Sequence, residues 1–268
     1  MSAFVGARPP SLRVYEYLLL RYRRTWRGTL TSSFLEPLFF LLAMGLGLGH
    51  LVNAHLAHSR STGHLGGVDY VTFIAPGVLA VTAMQMAQHE STYPVLGGAK
   101  WMGTYLAMVA TPLQARDIQT ATLLWVATRL AFASAVFLSV VAAFGDVLSP
   151  LALLALPAAV LTGLAFAAPL TAFSITRQND RSFPILYRFV VVPLFLFSGT
   201  FFPISYLPGW LQVAARITPL YHGVALCRAF VLGQVAWVPT LGHVVYLAAL
   251  AAVGLVVGRR TFPGRLYQ

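Results

Sequence analysis

The sequence predicts an all-α polytopic membrane protein, and three observations carry that expectation. Hydrophobic residues make up 58% of the 268 residues and charged residues only 9%, far from the composition of a soluble domain. Apolar runs of about 20 residues, the length needed to cross a bilayer, recur along the whole chain. The basic residues stand mostly beside those runs and not in one block, so the net charge of +11 reports topology and argues against nucleic acid as a partner. No linker, low-complexity segment or internal repeat interrupts the pattern, and a single membrane domain over 1–268 is expected. The lone Cys227 has no disulfide partner and no Cys/His spacing for zinc. The first 28 residues lack an apolar core with a small-residue cleavage site, which argues against a removed signal peptide.

Residues 11–28 predict an interfacial helix. At 100° per residue, Arg13, Glu16, Arg21, Arg23, Arg24 and Arg27 fall within an arc of roughly 160°. Val14, Tyr15, Leu18, Leu19, Tyr22 and Trp26 take the other side, while Tyr17 and Leu20 fall on the polar face. Such a helix suits a membrane surface, with arginines available to lipid headgroups. A basic helix packed on a partner protein has the same pattern.

Six spans are expected. The first, about 30–51, carries Glu36-Pro37 near its start and Gly45, Gly47 and Gly49 toward its end, where small residues admit a neighbouring helix. A polar loop with His55, His58 and His64 follows His50; it reads as a solvated external loop, and a metal site there lacks regular ligand spacing. The second span, about 70–88, ends at His89-Glu90. Tyr93 stands where the second histidine of a zinc-protease H-E-x-x-H would be, so that enzyme reading fails, and Glu90 reads as a carboxylate at the mouth of the span. Between spans, 95–117 predicts a short helix over about 100–109, ended by Thr111-Pro112.

The third span, about 118–144, holds Arg129 about 16 Å along the helix. A guanidinium at that depth should line a polar path or pair with Glu36 or Glu90; a later start to the span would instead let Arg129 snorkel. The fourth span is expected at about 151–175, then a polar turn over 177–182 and a fifth span at about 185–202. From Pro193 to Phe230 the chain is apolar yet broken by Pro203, Pro208, Pro219, Gly199, Gly209 and Gly223. Each break frees backbone groups that lipid cannot satisfy. Residues 203–230 therefore predict a re-entrant helical hairpin, with one short helix over about 207–217 and a second opening at Pro219. A sixth span, about 238–257, ends at Gly258-Arg259-Arg260.

The run S-G-T-F-F-P-I-S-Y-L-P-G-W-L-Q followed by I-T-P-L-Y-H-G-V resembles the signature region of type-2 ABC exporter permeases, in the branch that exports nodulation-factor lipooligosaccharides, with daunorubicin-resistance permeases as near relatives. Glu36-Pro37-Leu38 with G-L-G-L-G, and F-I-A-P-G-V-L-A, extend the resemblance over nearly the whole chain. It implies a homodimeric permease of six spans per copy, with two cytoplasmic ABC ATPase subunits beneath it. The cargo it implies is an amphipathic lipid, lipooligosaccharide or hydrophobic drug. Gly103-Thr104 and Thr111-Pro112-Leu113 match the coupling region that seats in the ATPase, which assigns Lys100, Trp101, Gly103, Thr104, Tyr105, Met108, Thr111 and Pro112 to that contact. Relatives commonly carry an acidic residue where this chain has Tyr105, so docking here is expected to be more apolar. Glu36, Glu90, Arg129, Gly199, Phe201, Phe202, Pro203, Pro208 and Gly209 are the candidates for a translocation path or outer gate.

The competing classes are a membrane-embedded lipid-modifying enzyme and a secondary transporter. An enzyme needs a nucleophile with its base, a metal cluster or paired carboxylates, and the seven acidic residues are spread singly. Lys100 is followed by Trp101, so no G-x-x-x-x-G-K-[ST] phosphate loop exists and no cofactor is expected on this chain. ATP and Mg are expected on the partner ATPase. Thirteen basic residues flank one set of span ends, against Arg60, Arg216 and Arg228 at the other. The positive-inside rule then predicts a multi-pass plasma-membrane protein with both termini cytoplasmic and the hairpin in the outer half of the bilayer.

Overall fold

The structure is a computed structural model that describes residues 9–24, 39, 42, 43, 47, 68–145 and 149–267. Every regular element among them is helical. Helix α1 (Pro10–Tyr22) is opened by a proline, whose missing N–H costs nothing in the first turn. Helix α2 (Tyr70–Ser91) breaks at Thr92 and continues through α3 (Tyr93–Leu96) and a π-helical turn, Gly97–Trp101. Helix α4 (Thr104–Val109) is short, and α5 (Ala115–Ala143) follows behind a reciprocal cap: Gln114 and Asp117 exchange side-chain and backbone hydrogen bonds. A 3₁₀ turn, Pro150–Leu154, leads into α6 (Ala155–Ser174). Then come α7 (Ser182–Leu186), a π-helical turn at Tyr187–Val191 and α8 (Val192–Phe197). A 3₁₀ turn, Ile204–Tyr206, precedes α9 (Gly209–Ile217), α10 (Pro219–Leu232) and α11 (Trp237–Leu266).

Four helical stretches are long and apolar enough to cross a membrane: Tyr70–Trp101, Ala115–Ala143, Pro150–Ser174 and Trp237–Leu266. They correspond to the second, third, fourth and sixth expected spans. The expected first span and the His-rich loop lie outside the described residues, apart from 39, 42, 43 and 47. So do Glu36, Pro37 and residues 25–28 of the expected interfacial helix. The fifth expected span is corrected. Helix stops at Phe197, not Phe202, because Ser198 leaves helical geometry and Gly199 adopts φ +81°. The continuous stretch Ser182–Phe197 is about 24 Å long at 1.5 Å per residue, short of a hydrocarbon core of about 30 Å.

The spans pack around two apolar clusters at different heights. The larger is built from α2, α5, α6, α10 and α11, with Ile74, Met84, Leu130, Leu220, Leu226 and Leu247 buried completely. The smaller joins Val95, Ala99, Tyr105, Ala115, Ile118, Ile175, Phe262 and Leu266, so it ties the C-terminal ends of α6 and α11 to the turn after α2. Helix α10 packs on α2, α6, α11 and the 3₁₀ turn before α6, at the opposite end of the bundle. The long axis thus has two distinct ends, one carrying α4 and one carrying the 198–232 segment.

Helix α11 runs closely along α6. A Cβ on Gly254 would stand 2.3 Å from the backbone nitrogen of Pro169, inside the contact distance that packed backbones tolerate. Replacing Gly254 by leucine is expected to destabilise the bundle by about 1–3 kcal/mol or more. Gly242→Leu on the same helix, where an added Cβ meets nothing within 4 Å, should leave stability unchanged. Thermal unfolding of the purified variants in detergent checks the contrast.

Candidate functional site

An ion pair lies between the second and third expected spans. Arg129 Nη1 donates to Glu90 Oε1, and Trp125 Nε1 donates to Glu90 Oε2 at 3.1 Å. Trp125 and Arg129 are four residues apart, one above the other on α5, so a single carboxylate from α2 meets both. Helix α1 covers this clasp. Tyr22 places its ring 5.0 Å beneath the Arg129 guanidinium and packs edge-on against Trp125, while the Tyr15 hydroxyl lies 3.1 Å from Thr128 Oγ1. Arg129 stands about 21 Å along α5, and its side chain is only 13% exposed, that of Glu90 17%. Of the carboxylates open to Arg129 in the sequence, Glu90 is the partner observed. A cavity of about 180 Å³ adjoins the pair, walled by Leu19, Met86, Phe132 and Ala133.

The α4 end is built on a tight turn. Gly103 takes φ +62°, a left-handed conformation that lets the chain reverse into α4, so the helix expected over 100–109 starts instead at Thr104. Thr104 Oγ1 donates to Gly98 O at 3.3 Å, and Thr111 Oγ1 donates to Met108 O at 2.6 Å. Lys100 Nζ is held by Gln178 through both its carbonyl and its side chain, and Arg265 donates to the same Gln178 Oε1. Tyr105 turns inward, against Gly98 and Phe262, and is 7% exposed; burial pushes its hydroxyl pKa above the ordinary tyrosine value. It is therefore corrected as a surface contact. Met108 is half-buried against the smaller cluster. The exposed apolar side chains here are Trp101, Met102 and Leu106, with Pro112 exposed beside them. The sequence reading had not singled out Leu106.

The other end carries the 198–232 segment, for which a re-entrant hairpin was expected. Helices α9 and α10 meet at Thr218, whose side chain caps α10 by accepting from Tyr221 N, and Gln212 donates to Leu207 O at 2.8 Å, closing the turn before α9. Phe201 packs edge-on against Phe195 with 4.9 Å between centroids. Phe202 and Pro203 are half-buried. Pro208 is the N-cap of α9, but a Cβ on Gly209 would meet nothing, whereas one on Gly199 would stand 2.9 Å from Ile204. Of the two glycines, Gly199 is the constrained one.

A family model described as "ABC-2 type transporter" matches residues 14–232. The chain belongs to the ABC-2 type transporter family. It is 33% identical over 234 residues to "Nodulation protein J" of Rhizobium leguminosarum bv. trifolii, covering 87% of this chain and 86% of that protein. It is 31% identical to the protein of the same name from R. leguminosarum bv. viciae (83% and 82% covered), and 28% identical to that of Rhizobium meliloti strain 1021 (86% and 86%). As an ABC-2 family member with bilayer-spanning helices, the chain is an integral membrane transport subunit.

Within this ABC-2 chain, sequence reading missed two constellations. Trp125 stands four residues before Arg129, a spacing visible in the sequence that marks one helix face. His222 and His243 were not legible: their Nδ1 atoms lie 2.6 Å apart across α10 and α11, and His222 stacks on Tyr246 at 4.0 Å. Removing one partner of the Glu90–Arg129 pair strands a charge in a poorly solvated place. Glu90→Ala is expected to cost about 3 kcal/mol. Glu90→Ala with Arg129→Leu should recover part of that loss, and unfolding of the single and double variants in detergent measures the coupling.

Proposed function

We propose that this chain is the permease subunit of an ATP-driven exporter that moves an amphipathic lipooligosaccharide outward across the plasma membrane. The observation that carries this reading is the build of the α4 end. Trp101, Met102 and Leu106 are exposed there on a segment fixed by Gly103, Lys100 and the inward Tyr105. An apolar plug on a rigid base is what transmission of force from another subunit requires. In this reading ATP and Mg belong to that subunit, in keeping with a sequence that carries no G-x-x-x-x-G-K-[ST] phosphate loop.

The basic residues Lys100, Arg116, Arg177, Arg181, Arg259, Arg260 and Arg265 gather toward the α4 end, which the positive-inside rule makes cytoplasmic. The hairpin end then faces outward, where the exposed Trp210, Val213 and Ile217 of α9 suit the headgroup level or a second permease copy. A homodimer with two ATPase subunits completes the transporter. Likeness to proteins named Nodulation protein J favours a lipooligosaccharide over a drug as cargo.

Exchange of Leu106 and Trp101 for aspartate should abolish copurification of the ATPase while leaving the permease folded, because both side chains are exposed before docking. Tyr105→Asp should instead destabilise the permease itself by placing a charge in the smaller cluster. Copurification from membranes, paired with a melting curve of the permease, separates the two. Normal ATPase binding and permease-stimulated hydrolysis in L106D/W101D would move the docking surface elsewhere.

A further inference from the structure

Arg228 sits on α10 in the hairpin and is not used by the coupling surface or by the Glu90 clasp. Its Nε donates to Phe73 O at 3.3 Å, and one terminal nitrogen, Nη2, donates to Gly199 O at 3.0 Å and to Thr200 O at 3.4 Å. The guanidinium also lies 4.0 Å from the centroid of the Phe73 ring. These contacts tie the first turn of α2 to the left-handed turn after α8 and satisfy the Gly199 and Thr200 carbonyls outside the helices. They leave the charge itself uncompensated: no described carboxylate pairs with Arg228, and Nη1 has no hydrogen-bond partner among the described residues.

Arg228 lines a cavity of about 320 Å³ at the hairpin end. Ser198, Tyr221 and Gln234 also line it with polar groups, and Phe73, Ile204 and Val224 contribute apolar lining. A cation held by carbonyls, short of one counter-charge and open to a partly apolar cavity, is built to receive an oxyanion attached to an apolar body. We propose that this cavity binds the phosphate or equivalent oxyanion of an amphipathic lipid, with Arg228 supplying Nη1 to the anion and Tyr221 and Gln234 completing its hydrogen bonds. The site is separate from the coupling reading and stands whether or not the cargo is a lipooligosaccharide.

Hydrogen exchange of the full-length permease in a neutral detergent tests this locally. Phosphatidylglycerol should slow exchange over residues 198–206 and 221–229, while phosphatidylcholine with the same acyl chains should not. Arg228→Gln should lose that protection but also loosens the turn it holds. Gln234→Glu therefore serves as the second variant: it places a carboxylate on the cavity wall, keeps the Arg228 bonds, and should weaken lipid protection about tenfold in apparent affinity. Inorganic phosphate at millimolar concentration identifies the source of the anion. Protection by phosphate alone makes a free oxyanion sufficient; protection by phosphatidylglycerol alone makes the lipid headgroup the ligand. Equal protection by phosphatidylcholine, or undiminished protection by phosphatidylglycerol in Gln234→Glu and Arg228→Gln alike, overturns the proposal.

Discussion

A hydrocarbon interior offers no hydrogen bonds, so every polar group this chain carries into it must find a partner within the protein. That constraint explains where its interior arginines stand. Arg129 meets Glu90 and Trp125 between two spans, and Arg228 gathers the carbonyls of Phe73, Gly199 and Thr200 where the chain leaves helical geometry. The two sites solve different problems. At the first, opposite charges cancel and align α2 with α5 under the cover of α1. At the second, a cation replaces the hydrogen bonds that a helix would have supplied, which allows a broken segment to persist beside apolar spans.

The two ends of the bundle follow from these anchors. Near α4, the buried faces of Tyr105 and Phe262 hold the turn after α2 against the ends of α5, α6 and α11. What is left exposed is a small apolar knob on a stiff mount. Force applied there reaches α2 and α5 directly, and the Glu90–Arg129 pair joins those same two helices one layer deeper. At the far end, α10 is wedged among α2, α6 and α11, so a change in the angle between spans would move the hairpin as well. In the exporter proposed above, this packing would link the ATPase contact to the outer element.

Much of this was legible in the sequence because apolar periodicity, proline and glycine report local constraints. The breaks at Pro208 and Pro219 marked α9 and α10 almost to the residue. Apolarity reports partitioning into lipid but not backbone geometry, and so 198–202 read as a continuation of the fifth span although Gly199 has already turned the chain. Tyr105 misled for a related reason. Its place in a coupling motif suggested a surface contact, whereas its ring fills the space above Gly98, a packing fact set by residues distant in the chain. Which carboxylate would meet Arg129 was equally a matter of long-range register, and only the spacing of Trp125 hinted that its face was special.

The proposed export requires the α4 end and the 198–232 end to lie on opposite sides of the membrane. In a Cys227→Ser background, single cysteines at Asn179, beside the Lys100 contact, and at Ser205, in the hairpin, are both placed at exposed positions. Labelling with a membrane-impermeant thiol reagent in intact cells should modify the cysteine at 205 and spare the one at 179 until the cells are lysed. Equal labelling of both positions in intact cells, or labelling of 179 alone, would contradict the account.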